Sequence, residues 1–169
     1  MIQTYHHGRF ELFVVIIVIA IIALAGLSRY SLMAEDARIL RLEIISHHFM
    51  TGAANTRVQF LMAHIANNQG EKNQLDLAGQ TLFFSAQGWP AAVAASAANN
   101  NQPTDEDCYQ LWTLLLQNPA PITKGATTKS RKEYRVFAQT NNCRYEFTDG
   151  TAYFDYYPAD GRLIFTPKT

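Results

Sequence analysis

The sequence predicts an α+β protein in which one long N-terminal helix packs against a C-terminal antiparallel sheet of four strands. Two observations predict this fold. Up to residue 67, apolar residues recur at helical spacing and proline is absent. From Tyr134 onward, apolar and polar residues alternate with the period of two that is typical of half-buried strands.

Length and charge limit the possible classes of protein. A chain of 169 residues fits one domain, and its fourteen basic and fourteen acidic side chains cancel. The sequence has one local basic cluster, which is most simply a solvated loop, and no feature of a nucleic-acid groove. That cluster consists of Lys124, Lys129, Arg131 and Lys132.

The segment from Leu12 to Leu27 has sixteen residues without a charged or polar side chain, and Glu11 directly precedes it. Twelve of them are Leu, Ile, Val or Phe, which together favour membrane insertion by roughly 4–7 kcal/mol. A lone strand in lipid would leave its backbone polar groups unsatisfied, so the segment must be helical. The sequence therefore predicts a transmembrane helix over Leu12–Leu27, extended by a few residues while Arg29 reaches the interface.

The helical pattern continues beyond the apolar run, which favours a retained anchor over a cleaved signal peptide. Its second half is amphipathic, so one stripe is available for packing. The stripe comprises Ile39, Leu42, Phe49, Ala53, Phe60 and Ala63. We therefore predict a short leader-like segment over residues 1–8, a helix over residues 10–67 and a globular head over residues 68–169.

The head begins at a polar break rich in Asn and Gln. The motif "QTLFF" predicts a short strand, "SAQGWP" a turn, and "PAAVAASAA" a short helix or loop. Thr104 can cap a second helix, and three acidic residues follow it at the positive end of the helix dipole. Capping explains this acidic triplet better than metal or acid–base chemistry does. The buried face of this helix would carry Cys108, Leu111, Trp112 and Leu115.

Four short strands follow, in "YRVFAQ", "CRYEFT", "AYFDYY" and "RLIFT". The dipeptides Asn141-Asn142, Asp149-Gly150 and Asp160-Gly161 separate them and are typical of tight hairpin turns. We expect an antiparallel meander with one apolar face, which the stripe of the long helix would cover.

The two cysteines, Cys108 and Cys143, would close a loop of about 36 residues, for which chain entropy predicts roughly 4 kcal/mol of stabilisation. If the membrane-anchored head faces an oxidising compartment, a disulfide is favoured over two buried free thiols. There is no CxxC pair and no set of soft ligands, so neither a zinc nor a redox site is expected.

The remaining candidates for chemistry are weak. Adjacent histidines on a helix point about 100° apart, so His47-His48 does not form the i, i+4 pair of a metal site, and no metal or other cofactor is expected. Tyr153, Phe154, Tyr156 and Tyr157 could stack on a sugar, but alternating strand aromatics more often form core and cross-strand pairs. No GxSxG motif or phosphate loop occurs, so the sequence does not predict an enzyme.

The run "FELFVVIIVIAIIALAGLSRY" resembles the N-terminal segment of type IV prepilins, in which a glutamate precedes the apolar run. The later segments "EDARILRLEIISHHFMTGAANTRVQ", "GWP", "CYQLWTLLLQNPAP" and "NNCRYEFTDG" look like those of MSHA (mannose-sensitive haemagglutinin) pilins, especially MshB-like minor pilins. The resemblance covers most of the chain and implies a pilin-like head on a helical stalk.

The resemblance also implies a role for Glu11: pairing with the N-terminal amine of a neighbouring subunit. The alternative for Glu11 is an interfacial charge that only orients the helix. A prepilin peptidase would cleave between His6 and His7 in the Glu11 register, or between Gly8 and Arg9 if glycine must precede the bond. N-methylation of the new N-terminus would follow.

The expected function is that of a minor pilin subunit of an MSHA-type type IV pilus, or fimbrium, which serves surface attachment. The chain would lie in the bacterial inner membrane as a single-pass protein, with its head outside the cytoplasm, before entering an extracellular fibre. Its expected partners are other pilin subunits, an assembly platform, an ATPase and a prepilin peptidase, without nucleic acid. A secretion-system pseudopilin and a membrane-tethered binding or sensor domain that never polymerises are the alternatives.

Overall fold

The structure is a computed structural model of the chain and describes residues 4–67, 73–77, 79–95, 97, 102–126 and 132–168. The side chains of residues 4–9, 31, 32, 64, 66 and 67 are not part of that description. Internal contacts divide the chain into an N-terminal unit, Met1–Leu40, and a C-terminal unit, Arg41–Thr169. The predicted α+β class, with a long apolar N-terminal helix and a sheet, is confirmed.

Helix α1, Thr4–Asn67, begins in the N-terminal unit and ends in the C-terminal one. Its 64 residues include no proline, so no main-chain donor is missing along its length. Serine and threonine hydroxyls bond to carbonyls of the preceding turn, which satisfies these polar groups without a partner outside the helix. Examples are Ser46 to Glu43 at 2.7 Å and Thr56 to Gly52 at 2.8 Å.

The predicted stripe of α1 is buried over most of its length in the C-terminal unit. Its buried members are Leu42, Phe49, Ala53 and Phe60. The two ends of the predicted stripe, Ile39 and Ala63, are only half-buried. Ser46 and Thr56 complete the buried face, and their internal hydrogen bonds explain why polar residues are tolerated there.

A three-stranded antiparallel sheet follows α1, in the order β1-β2-β3. The strands are β1 (Gln74–Leu77), β2 (Gln80–Phe84) and β3 (Pro90–Ala92). The sequence predicted β2 and the following turn but missed β1, and it assigned Pro90–Ala92 to a short helix or loop. Phe84 of β2 stacks on Phe60 of α1 with ring centroids 4.1 Å apart, which attaches this sheet to the helix.

Helix α2, Asp105–Leu115, has the N-terminus and the buried face that the sequence predicted. The hydroxyl of Thr104 accepts from the backbone N–H of Asp107, and the carboxylate of Asp107 accepts from the backbone N–H of Thr104. This reciprocal pair is a capping box. The buried face consists of Asp107, Cys108, Leu111, Trp112 and Leu115.

The second sheet has five strands in the order β4-β5-β6-β7-β8. They are β4 (Ile122–Lys124), β5 (Tyr134–Ala138), β6 (Cys143–Phe147), β7 (Ala152–Tyr157) and β8 (Arg162–Pro167). The four predicted strands form an antiparallel meander, but β4 pairs with β5 in parallel, so the prediction of a four-stranded antiparallel sheet was wrong. Three residues next to a proline-rich loop are too few to show alternation, which is why β4 was missed.

The apolar face of the meander packs against α1, as predicted. Phe49 of α1 lies 5.1 Å from Tyr145, 5.7 Å from Phe154 and 5.2 Å from Tyr156, measured between ring centroids. Trp112 of α2 stacks on Tyr145 at 5.4 Å. Helices α1 and α2 therefore share one aromatic core with the sheet.

Candidate functional site

The first candidate site is the apolar part of α1 in the N-terminal unit. Its large side chains are exposed in the isolated chain, from 71% at Phe10 through 53% at Ile16 to 70% at Leu27. The helix is long and apolar enough to cross a membrane, with a mean hydropathy of 3.0 in its most apolar window, by length and composition alone. A surface of this kind fits a lipid bilayer or a bundle of apolar helices.

Glu11 lies at the border of this apolar surface and is itself exposed. In the described part of the chain, its carboxylate has no hydrogen-bond or ion-pair partner. The carboxylate is therefore available to a group outside the chain. This matters because a charge enclosed among packed apolar helices is costly unless it is paired.

The predicted processing site falls at the limit of the described residues. The backbone of His6, His7, Gly8 and Arg9 belongs to α1, but their side chains lie outside the description. The choice between the two cleavage positions therefore stays a prediction.

The second candidate site is the disulfide in the C-terminal unit. Cys108 of α2 and Cys143 of β6 are joined, with Cα atoms 5.4 Å apart, and both residues are fully buried. The hydroxyl of Tyr145 donates a 2.8 Å hydrogen bond to the carbonyl of Cys108. The predicted pairing is thus present in the structure, and the bond holds α2 to the centre of the meander.

Asp107 has a role that sequence reasoning missed. Its side chain is 1% exposed and accepts hydrogen bonds from Val93 N–H at 2.8 Å and Ala94 N–H at 3.3 Å, besides the capping contacts with Thr104. The other two acids of the triplet are exposed: Asp105 accepts from Ala138 N–H at 2.6 Å, and Glu106 pairs with Lys124. Asp107 therefore ties the segment after β3 to the start of α2.

The aromatic cluster of β7 is divided between the two faces of the sheet. Phe154 and Tyr156 are fully buried in the core. Tyr153 and Tyr157 lie on the outer face, where the guanidinium groups of Arg144 and Arg162 stack on their rings at 3.9 and 4.4 Å. Each outer ring therefore already has an arginine stacked on it.

Among the described residues, hydrogen bonding and burial shift the pKa of four groups in the C-terminal unit. Burial raises the pKa of Tyr145 well above its ordinary value, and burial likewise raises the pKa of Tyr156. The hydrogen bond from Lys124 lowers the pKa of Glu106, and the hydrogen bond to Asp155 raises the pKa of Arg144. The four groups have structural partners and do not converge on one cavity.

A cavity of about 390 Å³ lies between α1 and the end of α2. His48, Thr51 and Asn55 of α1 contribute the polar side chains of one wall. No group of three His, Cys, Asp or Glu side chains that could hold a metal occurs among the described residues. The lining carries no Asp, Glu, Lys or Arg side chain, and the imidazole of His48 is its titratable group.

Comparisons with protein-family models, with curated proteins and with solved structures found no match. The fold and the candidate sites define a class: an α+β unit with a buried disulfide, preceded by a helix that is long and apolar enough to cross a membrane.

Proposed function

We propose that the chain is a minor subunit of an MSHA-type type IV pilus. In this proposal the segment Leu12–Leu27 anchors the subunit in the inner membrane, with the C-terminal unit outside the cytoplasm. An assembly ATPase and a platform protein then move the subunit into an extracellular fibre used for surface attachment. The core of that fibre consists of apolar helices from many subunits.

The observation that carries the proposal is the position of Glu11. Its carboxylate lies at the edge of a helix whose next four turns are apolar on every side, and the described residues offer it no partner. In a bundle of such helices the carboxylate requires a counter-charge. The N-terminal amine of a neighbouring subunit supplies one, and the pairing fixes the axial register of the two helices.

The buried disulfide supports a location outside the cytoplasm, because such bonds persist in oxidising compartments. A secretion-system pseudopilin has the same kind of anchor, and the cysteine pair favours a pilus subunit over it only slightly. A tethered sensor domain that never polymerises would use Glu11 only to orient the helix. A test of whether Glu11 pairs with a neighbouring subunit therefore separates a pilus subunit from a tethered domain.

The test compares Glu11 variants in a strain that contains the pilus machinery. Glu11→Ala and Glu11→Gln should still enter the membrane fraction, because removing a charge beside the apolar run favours insertion. Both should be lost from the sheared-fibre fraction, because the amine of the neighbour then lacks its counter-charge. Glu11→Asp should be intermediate, since the charge remains but reaches less far.

Glu35→Ala is the matched control on the same helix. The Glu35 side chain is 49% exposed and its carboxylate lies 3.8 Å from Arg38, an exposed pair that contributes little. Glu35→Ala should therefore assemble normally. Wild-type amounts of Glu11→Ala in the sheared fraction would overturn the pairing and favour the tethered domain.

Processing is tested separately by the intact mass of the membrane-extracted protein. Loss of residues 1–6 with the gain of one methyl group supports the Glu11 register. Loss of residues 1–8 supports cleavage after Gly8. A full-length mass contradicts processing by the prepilin peptidase.

A further inference from the structure

The outer edge of β8 is the feature from which we infer a second interaction surface. Strand β8 ends the five-stranded sheet, and no described strand pairs with its other side. Free edges are templates for pairing with another strand, and proteins usually protect them with charges, prolines or bulges. Here the centre of the edge is Leu163-Ile164-Phe165, and Ile164 is 41% exposed.

The register of the sheet shows which backbone groups face outward. The N–H of Lys168 bonds to the carbonyl of Thr151 at 2.8 Å, so these residues form a hydrogen-bonded pair of the β7–β8 ladder. Such pairs alternate along an antiparallel ladder. Counting back from Lys168 in steps of two, the residues directed toward β7 are Thr166, Ile164 and Arg162.

The N–H and C=O groups of Leu163 and Phe165 therefore point away from the sheet. Two further bonds lead to the same result. Gln139 N–H donates to the carbonyl of Asn142, and Thr148 N–H donates to the carbonyl of Glu133, so both identify hydrogen-bonded pairs of the β5–β6 ladder. Following the alternation from β6 to β7 and on to β8 again directs the backbone groups of Leu163 and Phe165 outward. In the described part of the chain, neither outward N–H has a hydrogen-bond partner. The side chains of both residues are half-buried on the core side of the sheet.

We propose that two copies of this chain pair through β8, antiparallel and related by a two-fold axis. Leu163 then lies opposite Phe165 of the second copy, and Ile164 lies opposite Ile164 of the second copy. The outward N–H and C=O groups of both residues gain partners. The apolar side chains meet on each face, where cross-strand aliphatic and aromatic pairs are favourable.

Charge and turn geometry select this register over its neighbours. It sets Lys168 opposite Asp160 of the second copy, and both residues are exposed. If the second copy shifts by two residues along β8 in one direction, its Arg162 lies opposite Lys168, which is an unfavourable like-charge pair. A shift of two residues in the other direction would need Gly161 to form a hydrogen-bonded pair with Phe165 of the second copy. Gly161 cannot do so, because its φ is 72° and its N–H already donates to the carbonyl of Tyr157.

The two-fold axis is normal to the sheet, so every direction within the sheet is reversed in the second copy. A contact of one strand edge is small, so association is weak and depends on concentration.

The test is disulfide trapping in the purified full-length chain in detergent, because the native cysteines are already paired. In the proposed register the two Ile164 Cα atoms are about 4.5 Å apart, within disulfide reach. Ile164→Cys should give a covalent dimer under mild oxidation, with a yield that rises with protein concentration. Thr166→Cys is the matched control, because its copies would be about 13 Å apart along the strands.

The expected yield is several-fold higher for Ile164→Cys than for Thr166→Cys. In the Ile164→Cys background, Lys168→Glu should lower the yield several-fold by facing Asp160 of the second copy, whereas Lys168→Arg should not. The absence of a dimer, or equal yields from the two cysteine variants, would overturn the pairing. Equal yields with Glu and Arg at position 168 would overturn its register.

Discussion

Gly52 of α1 packs directly against the main-chain carbonyl of Leu115, the last residue of α2. A Cβ atom at position 52 would overlap this carbonyl, so only glycine allows the two helices to approach this closely. The contact lies beside the cavity between the helices and helps to position the end of α2 over the core.

Replacing Gly52 by Ala should therefore destabilise the C-terminal unit. Alanine favours a helix by about 1 kcal/mol over glycine, but overlap with a backbone atom costs more, so we expect a net loss of about 1–2 kcal/mol. Gly26→Ala is the control, because nothing lies within 4 Å of the added methyl group. Thermal unfolding, followed by near-ultraviolet circular dichroism, measures the stability of the two variants. Equal unfolding midpoints for Gly52→Ala and Gly26→Ala would contradict the role of Gly52.

The sequence predicted elements whose signal is local. The stripe of α1, the cap at Thr104 and the hairpins of the meander depend on spacing and turn residues that can be recognised in short windows. Strands β1, β3 and β4 were missed, because each has only three or four residues and owes its conformation to a neighbour in the sheet.

The special role of Asp107 could not be predicted for a related reason. The three acids after Thr104 look equivalent as helix-dipole partners, and only tertiary packing brings the backbone of Val93 and Ala94 to one of them. The disulfide was predictable because the chain has two cysteines, so only one pairing within the chain is possible.

Loss of the disulfide should weaken the C-terminal unit strongly. Replacing Cys108 or Cys143 by Ser should lower the free energy of unfolding by about 2–5 kcal/mol and reduce surface display, because the bond constrains the unfolded chain. Denaturant unfolding of oxidised and reduced protein measures the difference. Thiols that react at both positions in protein purified without reductant would contradict the pairing.

Asp107→Ala should cost far more stability than Glu106→Ala. The first change leaves the N–H groups of half-buried Val93 and exposed Ala94 without this acceptor and removes the cap, which together should cost about 2–4 kcal/mol. The second removes an exposed pair with Lys124, which should cost less than about 1 kcal/mol. Similar unfolding midpoints for the two variants would show that Asp107 acts only through the helix dipole.

The stability of the C-terminal unit should fall in alkaline solution because of two buried tyrosines. Burial raises the pKa of Tyr145 and of Tyr156 in the folded state, whereas the unfolded chain titrates near the ordinary value of about 10. Below about pH 10 the tyrosines are protonated in both the folded and the unfolded state, so their titration does not reduce stability. Above that pH the unfolded chain loses these protons before the folded protein does, which favours unfolding. Each tyrosine should then reduce the free energy of unfolding by up to about 1.4 kcal/mol per pH unit.

Phenylalanine variants isolate this effect from the other groups that titrate in alkali. At neutral pH, Tyr145→Phe and Tyr156→Phe lose hydrogen bonds to the carbonyls of Cys108 and Pro90, so both should be about 1 kcal/mol less stable than wild type. Above pH 10 their stability should fall less steeply, and the double variant should be flattest because neither buried hydroxyl remains to ionise. Denaturant unfolding between pH 8 and 12 measures the slopes. Parallel slopes for all four proteins would mean that these hydroxyls do not cause the alkaline loss.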